Sequence, residues 1–161
     1  MKYGLFTGLA LTLYEAVRFT ADIQGGVLFG LLDIAILAVG IAAAHRAYKG
    51  LAGGFMSYGT GLGLGSAASG VAGAIAGAYV FIYLRFINSE AFSEIYEQQR
   101  VAMQDKGASA QELEIMKQIT EIVQSPPVMF ISVFVSYLFT GFIFSLIIAA
   151  ITKRDNPEEE L

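Results

Sequence analysis

Four long runs of apolar residues limit this chain to very few folds. They cover about residues 3–20, 26–44, 58–87 and 128–151. A helix needs about 20 such residues to cross the ~30 Å hydrocarbon layer of a bilayer, at ~1.5 Å per residue. In lipid every backbone N–H and C=O must be satisfied internally, so spanning segments are helices or closed barrels. These runs are too long for barrel strands and lack the two-residue alternation of a barrel wall. The expected fold is all-α. It is a polytopic membrane protein with four transmembrane helices, a single membrane domain over residues 1–161, a helical hairpin outside the membrane at about 88–127, and a tail at 152–161.

Composition agrees. Hydrophobic residues make up 55% of the chain and charged residues 15%, against ~25% in ordinary soluble domains, and mean hydropathy is +0.60. A soluble domain this small would need far more polar surface. The net charge of −4 comes with no basic block, so no nucleic-acid partner is expected. There is no cysteine, and His45 is the single histidine, which removes disulfides, thiolate chemistry and the usual histidine metal clusters. No Gly-Lys-Ser/Thr ending follows the glycines at 50, 53, 54 and 59, so they form no phosphate loop. No catalytic group, metal or cofactor is expected, and the chain does not read as an enzyme. The expected partners are the lipid bilayer and, through the outer hairpin, a second copy or another membrane protein.

The first run is not a cleaved signal peptide, because Glu15-Ala16-Val17-Arg18 offers no small-residue cleavage site. Orientation follows from Lys and Arg near the spans. With the N-terminus inside, the cytoplasmic side collects Lys2, Arg46, Lys49, Lys153 and Arg154. The other side then holds an excursion carrying seven acids, Glu90, Glu94, Glu97, Asp105, Glu112, Glu114 and Glu121. Both termini are expected in the cytoplasm.

Within the excursion, Phe92, Ile95, Tyr96, Ala102 and Met103 recur at helical spacing. Lys106-Gly107 reads as a helix stop, and Ser109 to Glu112 as a capping box opening a second helix. Leu113, Met116, Ile119, Thr120 and Val123 give that helix an apolar stripe, for packing on its neighbour or on the membrane surface. Pro126-Pro127 ends it and begins the last span.

The third run carries the densest pattern: Gly61, Gly65, Ser69, Gly73 and Gly77 repeat every four residues. Small residues let helix backbones approach closely in lipid, where hydrophobic burial does not drive association. The fourth run offers Ser132, Ser136 and Thr140, then Gly141, Ser145 and Ala149. Packing of the third helix on the fourth or the first is expected, with a homodimer seam or a glycine-lined passage as alternatives. Tyr3-Gly4-x-x-x-Gly8 and Tyr58-Gly59-x-x-x-Gly63 also suggest a faint internal repeat, for which coincidence is a sufficient cause.

Several of these stretches together resemble a known family. They are the Lys2-Tyr3-Gly4 opening, Gly54-Phe55-Met56-Ser57-Tyr58-Gly59, Tyr83-Leu84-Arg85-Phe86-Ile87-Asn88, and the acidic excursion with its Ser109-Ala110-Gln111-Glu112-Leu113 restart. In that order, and with a charged tail, they are similar to the Bacteroidota membrane family known as domain of unknown function forty-one ninety-nine. Members often have proline after the match to Ile87-Asn88, where this chain has Ser89 and Glu90. The resemblance implies an integral inner-membrane protein of about this size, and brings no activity, cofactor or catalytic residue.

The candidate site is a set of intramembrane charges. Such residues are costly in lipid, usually face the bundle interior, and pair with one another. Glu15 lies ~5 Å from the middle of the first run and Asp33 ~3 Å from that of the second, toward the same side. Arg18 is one turn from Glu15 on the same face. The three are expected to meet as a structural staple, or as a proton or cation site, because two acids share one arginine. His45, beside Arg46, is expected to be solvated at the interface. The function expected is a non-enzymatic accessory or scaffolding subunit, with a small transporter or channel subunit using Glu15, Arg18 and Asp33 as the alternative.

Overall fold

The computed structural model describes residues 2–21, 26–87, 91–123 and 125–156. The helices are α1 (Lys2–Thr20), α2 (Val27–Leu51), α3 (Tyr58–Ile82), α4 (Ala91–Asp105), α5 (Ala110–Val123) and α6 (Pro126–Thr152). One wide π-type turn, Tyr83–Ile87, extends α3. Among the described residues there is no strand, only an isolated backbone bridge between Met56 and Arg154. The chain is all-helical.

Among the described residues, three segments are long and apolar enough to cross a membrane: Val27–Leu51, Tyr58–Ile87 and Pro126–Thr152. The first expected span forms a helix of 19 residues but is not among them. The reason is physical. Lys2, Glu15 and Arg18 all fall in its short length and pull its hydropathy down. The second helix runs on to Leu51, seven residues past the expected end at Ala44, because Arg46, Tyr48 and Lys49 are good enough helix formers to continue the turn pattern. Pro126 and Pro127 occupy the first turn of α6, where a missing N–H costs nothing.

Two compact units divide the chain: residues up to Ala76 together with those from Val133 onward, and Gly77–Ser132. The first is built around α3, whose faces receive different neighbours. On one face the small-residue ladder meets α6. A methyl at Gly61 would sit 3.1 Å from the Ala149 side chain, and one at Gly65 would sit 2.8 Å from Ser145 Cβ. Conversely, a methyl at Gly141 would collide with Ser69. One step further along, Gly73 faces Tyr137 and the Phe134 carbonyl, so an aromatic ring replaces the small partner. Ser132 and Ser136, expected on this face, are exposed. The row through Ala149, Ser145 and Gly141 continues four residues back to Tyr137, which leaves those serines on another side.

The other face of α3, at Ala68, Ala72 and Ile75, receives Gly4 and Gly8 of α1 at the same close range. At Gly59 and Gly63, their supposed repeat counterparts, an added methyl would meet nothing within 4 Å outside its own helix backbone, so the two motifs are not equivalent. Helix α2 closes the group. Leu37 and Ile41 join Leu11 and Ala72 in one buried cluster, with Tyr137, Phe144 and Ile148 packed against it, and Gly40 makes room for Thr7. Of the α6 phenylalanines, Phe139 and Phe142 are exposed, whereas Phe130, Phe134 and Phe144 are partly covered.

In the second unit, Gly77 lies under the Phe130 carbonyl and ring, and Val80 and Leu84 are buried. Helix α4 ends at Gly107, whose φ of 85° is the left-handed conformation a glycine tolerates. Ser109 and Glu112 then cap α5 reciprocally. Glu112 accepts from the Ser109 N–H at 2.7 Å, and the Glu112 N–H donates to Ser109 Oγ at 3.3 Å. Helices α4 and α5 are in contact. Asn88, Ser89, Glu90, Gln124, the Phe92 and Ile95 side chains, and the tail beyond Asn156 lie outside the described residues.

Two outcomes are expected. Gly65→Leu should lower the thermal midpoint in detergent by overpacking, at about 1–3 kcal/mol, while Gly63→Leu, two residues away in open space, should be tolerated. Equal losses at both positions would contradict the seam. The Ser109 N–H and hydroxyl bonds hold the Glu112 carboxyl below the usual carboxylate range. A carboxyl depressed on folding stabilises above its unfolded pKa, ~4.3, and loses that as pH falls through the folded value. The protection of amides in the first turn of α5, relative to their intrinsic exchange at the same pH, should therefore fall below about pH 4, and Glu112→Gln should remove that pH dependence.

Candidate functional site

Glu15 and Arg18 stand three residues apart on α1, which puts them on one side of the helix. Arg18 Nη1 lies 3.0 Å from Glu15 Oε1 and 3.6 Å from Asp33 Oδ2 of α2. These side chains are only 14–19% exposed, so none points away from the packed helices. The three charged residues singled out in the sequence come together.

The structure adds aromatic residues that the sequence reading did not connect to this site. The Tyr137 hydroxyl of α6 is 3.4 Å from Asp33 Oδ1 and donates to it. Tyr14 OH donates to the Phe29 carbonyl at 2.9 Å, tying α1 to α2 beside the cluster. The Arg18 guanidinium sits 5.6 Å from the Tyr14 ring centre and 5.7 Å from that of Phe29. Flanked by two π faces and two carboxylates, the cation is held with little water. Arg18 Nε and Thr12 Oγ1 are buried with no hydrogen-bond partner among the described residues. The spacing could have pointed to Tyr14, one residue before Glu15 and four before Arg18. Nothing local marks Tyr137, which arrives from 104 residues away.

With two acids on one arginine, the formal charge of the cluster is −1. Arginine stays protonated, so it needs an acid more than either acid needs it. Chemically the arrangement can staple α1, α2 and α6, and its surplus carboxylate can accept a proton or a cation.

The opposite end of the first unit holds a correction. His45 is not solvated. It is fully buried, with Nε2 2.7 Å from the Gly61 carbonyl of α3 and Nδ1 2.9 Å from Thr152 Oγ1 of α6. A carbonyl only accepts, so Nε2 carries a proton. Because α2 continues past Ala44, His45 extends the buried row of Leu37 and Ile41 by another four residues. Lys49 Nζ donates to the Thr152 carbonyl at 3.0 Å. Met56 and Arg154 exchange two backbone hydrogen bonds of 2.8 and 2.9 Å, which fasten the loop before α3 to the end of α6. Gly53 and Gly54 take left-handed φ of 63° and 92° to close that loop.

Among the described residues no three His, Asp or Glu side chains are grouped to hold a metal. Over residues 2–154 the chain matches the family described as protein of unknown function (DUF4199). The chain belongs to this family. The match takes in all six helices of this DUF4199 protein, both the charge cluster and the His45 bonds. No curated protein and no solved structure matches it.

The cluster predicts an order of sensitivity. Arg18→Leu strands two carboxylates and should cost about 3–5 kcal/mol, the range for breaking a buried pair from one side. Glu15→Gln leaves the Arg18–Asp33 contact and should cost about 1 kcal/mol. Asp33→Asn keeps an acceptor for Tyr137 and leaves Arg18 and Glu15 as one neutral pair, so it should be the mildest. Thermal midpoints of the variants in one detergent check the ranking; Arg18→Leu as mild as Asp33→Asn would contradict it.

Proposed function

We propose that this DUF4199 protein is an integral inner-membrane protein with four transmembrane helices, α1, α2, α3 and α6. In this reading both termini are cytoplasmic, α4 and α5 form a hairpin outside, and the protein works as a non-enzymatic accessory or scaffolding subunit. The topology is supported by the gathering of basic residues at one end of the first unit. Lys2 and Tyr3 line a recess with Ala47, Tyr48 and Leu51. Lys49 reaches Thr152, and Arg154 pairs with Met56. Lys2, Arg46, Lys49, Lys153 and Arg154 thus lie together, as positive-inside orientation requires. Alternate crossing of α1, α2, α3 and α6 follows, with the Glu15–Arg18–Asp33 pairing lowering the cost of carrying charge in α1.

One observation carries the accessory role. Both small-residue faces of α3 are already filled from within the chain, by α1 and α6, so the ladder serves internal packing. The partner-binding part in this reading is the acidic α4–α5 segment, whose Glu97, Asp105, Glu114 and Glu121 are exposed. The second reading, a subunit of a small ion or solute transporter, is favoured by one feature: the unmatched carboxylate of the Glu15, Arg18 and Asp33 cluster.

A reporter fused after Asn156 should report cytoplasm, and one inserted at Gly107 the outer side; reversal at either position would contradict the topology. Mild solubilisation should recover the protein in a complex, and recovery alone as a monomer would contradict the accessory role. Solute or ion flux in proteoliposomes, abolished by Asp33→Asn, would instead establish the transporter reading.

A further inference from the structure

The apolar stripe of α5 is split. Leu113, Met116 and Thr120 are partly covered, whereas Ile115, Ile119, Ile122 and Val123 remain 50, 56, 65 and 48% exposed. At 100° per residue those four side chains share one narrow arc. Glu114, Lys117 and Glu121 occupy the opposite side, and Gln118 borders the arc beside Ile122, all exposed. Glu112 falls within the angular range of the arc, but it lies in the first turn, ahead of Ile115, and its carboxylate is folded back onto Ser109 at the start of the helix.

We propose that the Ile115–Ile119–Ile122–Val123 face of α5 lies on the bilayer surface, seated at the boundary of headgroups and acyl chains. This rests on the reading that α6 spans the membrane, and goes beyond it by assigning the occupant of a face outside the spans. The chain passes directly from α5 into α6. Ser125 N–H donates to Ile122 O at 3.2 Å, and Met129 N–H donates to Ser125 O at 3.0 Å, so a single turn joins the helices. Three residue steps from Val123 to Pro126 reach at most ~10 Å. That is close to the ~5–8 Å depth of the interfacial layer on each side of the hydrocarbon. The end of α5 is therefore tethered within the layer where an amphipathic helix buries its apolar side.

The size of the face argues the same way. The open strip runs only from Ile115 to Val123, ~13 Å of helix at ~1.5 Å per residue, and is one side chain or two wide. Stable protein complexes bury ~800 Å² on each partner. A strip this narrow suits lipid, which needs no matching surface, better than a second copy of the chain. Since the helix carries more acids than bases, the lipid is zwitterionic and the attraction is apolar.

The chain contains no tryptophan, so single tryptophans report their own surroundings. Full-length Ile119→Trp, Ile115→Trp, Lys117→Trp and Phe139→Trp variants are reconstituted into phosphatidylcholine vesicles with and without bromine on the acyl chains. Phe139, 63% exposed on α6, reports whether that helix meets lipid. The expected result is bromine quenching at Phe139→Trp, Ile119→Trp and Ile115→Trp, at least twofold stronger than at Lys117→Trp. Quenching at Phe139→Trp alone overturns the proposal and leaves the membrane reading standing. Blue-shifted but unquenched emission at both isoleucine positions means that protein covers the face, and also overturns it. No quenching at Phe139→Trp removes the membrane reading itself, and the proposal with it.

Discussion

The close approach of α3 to its neighbours is the constraint on which the rest of the first unit depends. Because Gly61, Gly65 and Ser69 present almost no side chain to Ala149, Ser145 and Gly141, the backbones of α3 and α6 come nearer than larger residues would permit. Gly4 and Gly8 do the same for α1 against Ala68 and Ala72. In lipid this contact is made by dispersion over many small atoms, not by hiding apolar surface from water. It also decides what else can meet. His45 reaches the Gly61 carbonyl and Thr152 because α2 can press against both α3 and α6. Tyr137, over Gly73, comes within reach of Asp33.

The charge cluster follows from that geometry and offsets a weakness in it. Helix α1 is the least apolar of the four helices in the first unit, and Arg18 is the reason it carries a permanent charge. Two carboxylates, two aromatic faces and the backbone tie from Tyr14 to Phe29 give that charge a defined place. The unmatched acid is a separate matter. A staple needs only one carboxylate per arginine, and the second is what keeps a transport role open beside the scaffolding one.

Much of this was legible in the residues, and the failures have physical causes. Four-residue spacing of small side chains marked the α3 seam, and shared depth marked Glu15, Arg18 and Asp33, because both depend on helix geometry alone. The Gly107 stop and the Ser109–Glu112 cap were readable for the same reason: they are local. The partner row on α6 was only half readable, since Gly141, Ser145 and Ala149 gave no sign that Tyr137 rather than Ser136 continues them. His45 was misread because its neighbour Arg46 suggested water, while its spacing from Leu37 and Ile41 placed it on the buried face. Tyr137 could not be found from its own surroundings, as its partner lies on another helix. Lys2, Glu15 and Arg18 set α1 apart from the three helices that are apolar enough by composition to cross a membrane.

The central claim is that the small-residue ladder of α3 is filled by α6 of the same chain. The absence of native cysteine makes one test direct. In a Gly61→Cys, Ala149→Cys double variant, oxidised in the membrane, the two Cβ atoms start 3.1 Å apart, about 0.7 Å closer than the ~3.8 Å typical of a disulfide. The bond should form within one chain, giving a monomer of altered mobility on a non-reducing gel. Failure to cross-link, or cross-linking only into dimers, would contradict the account.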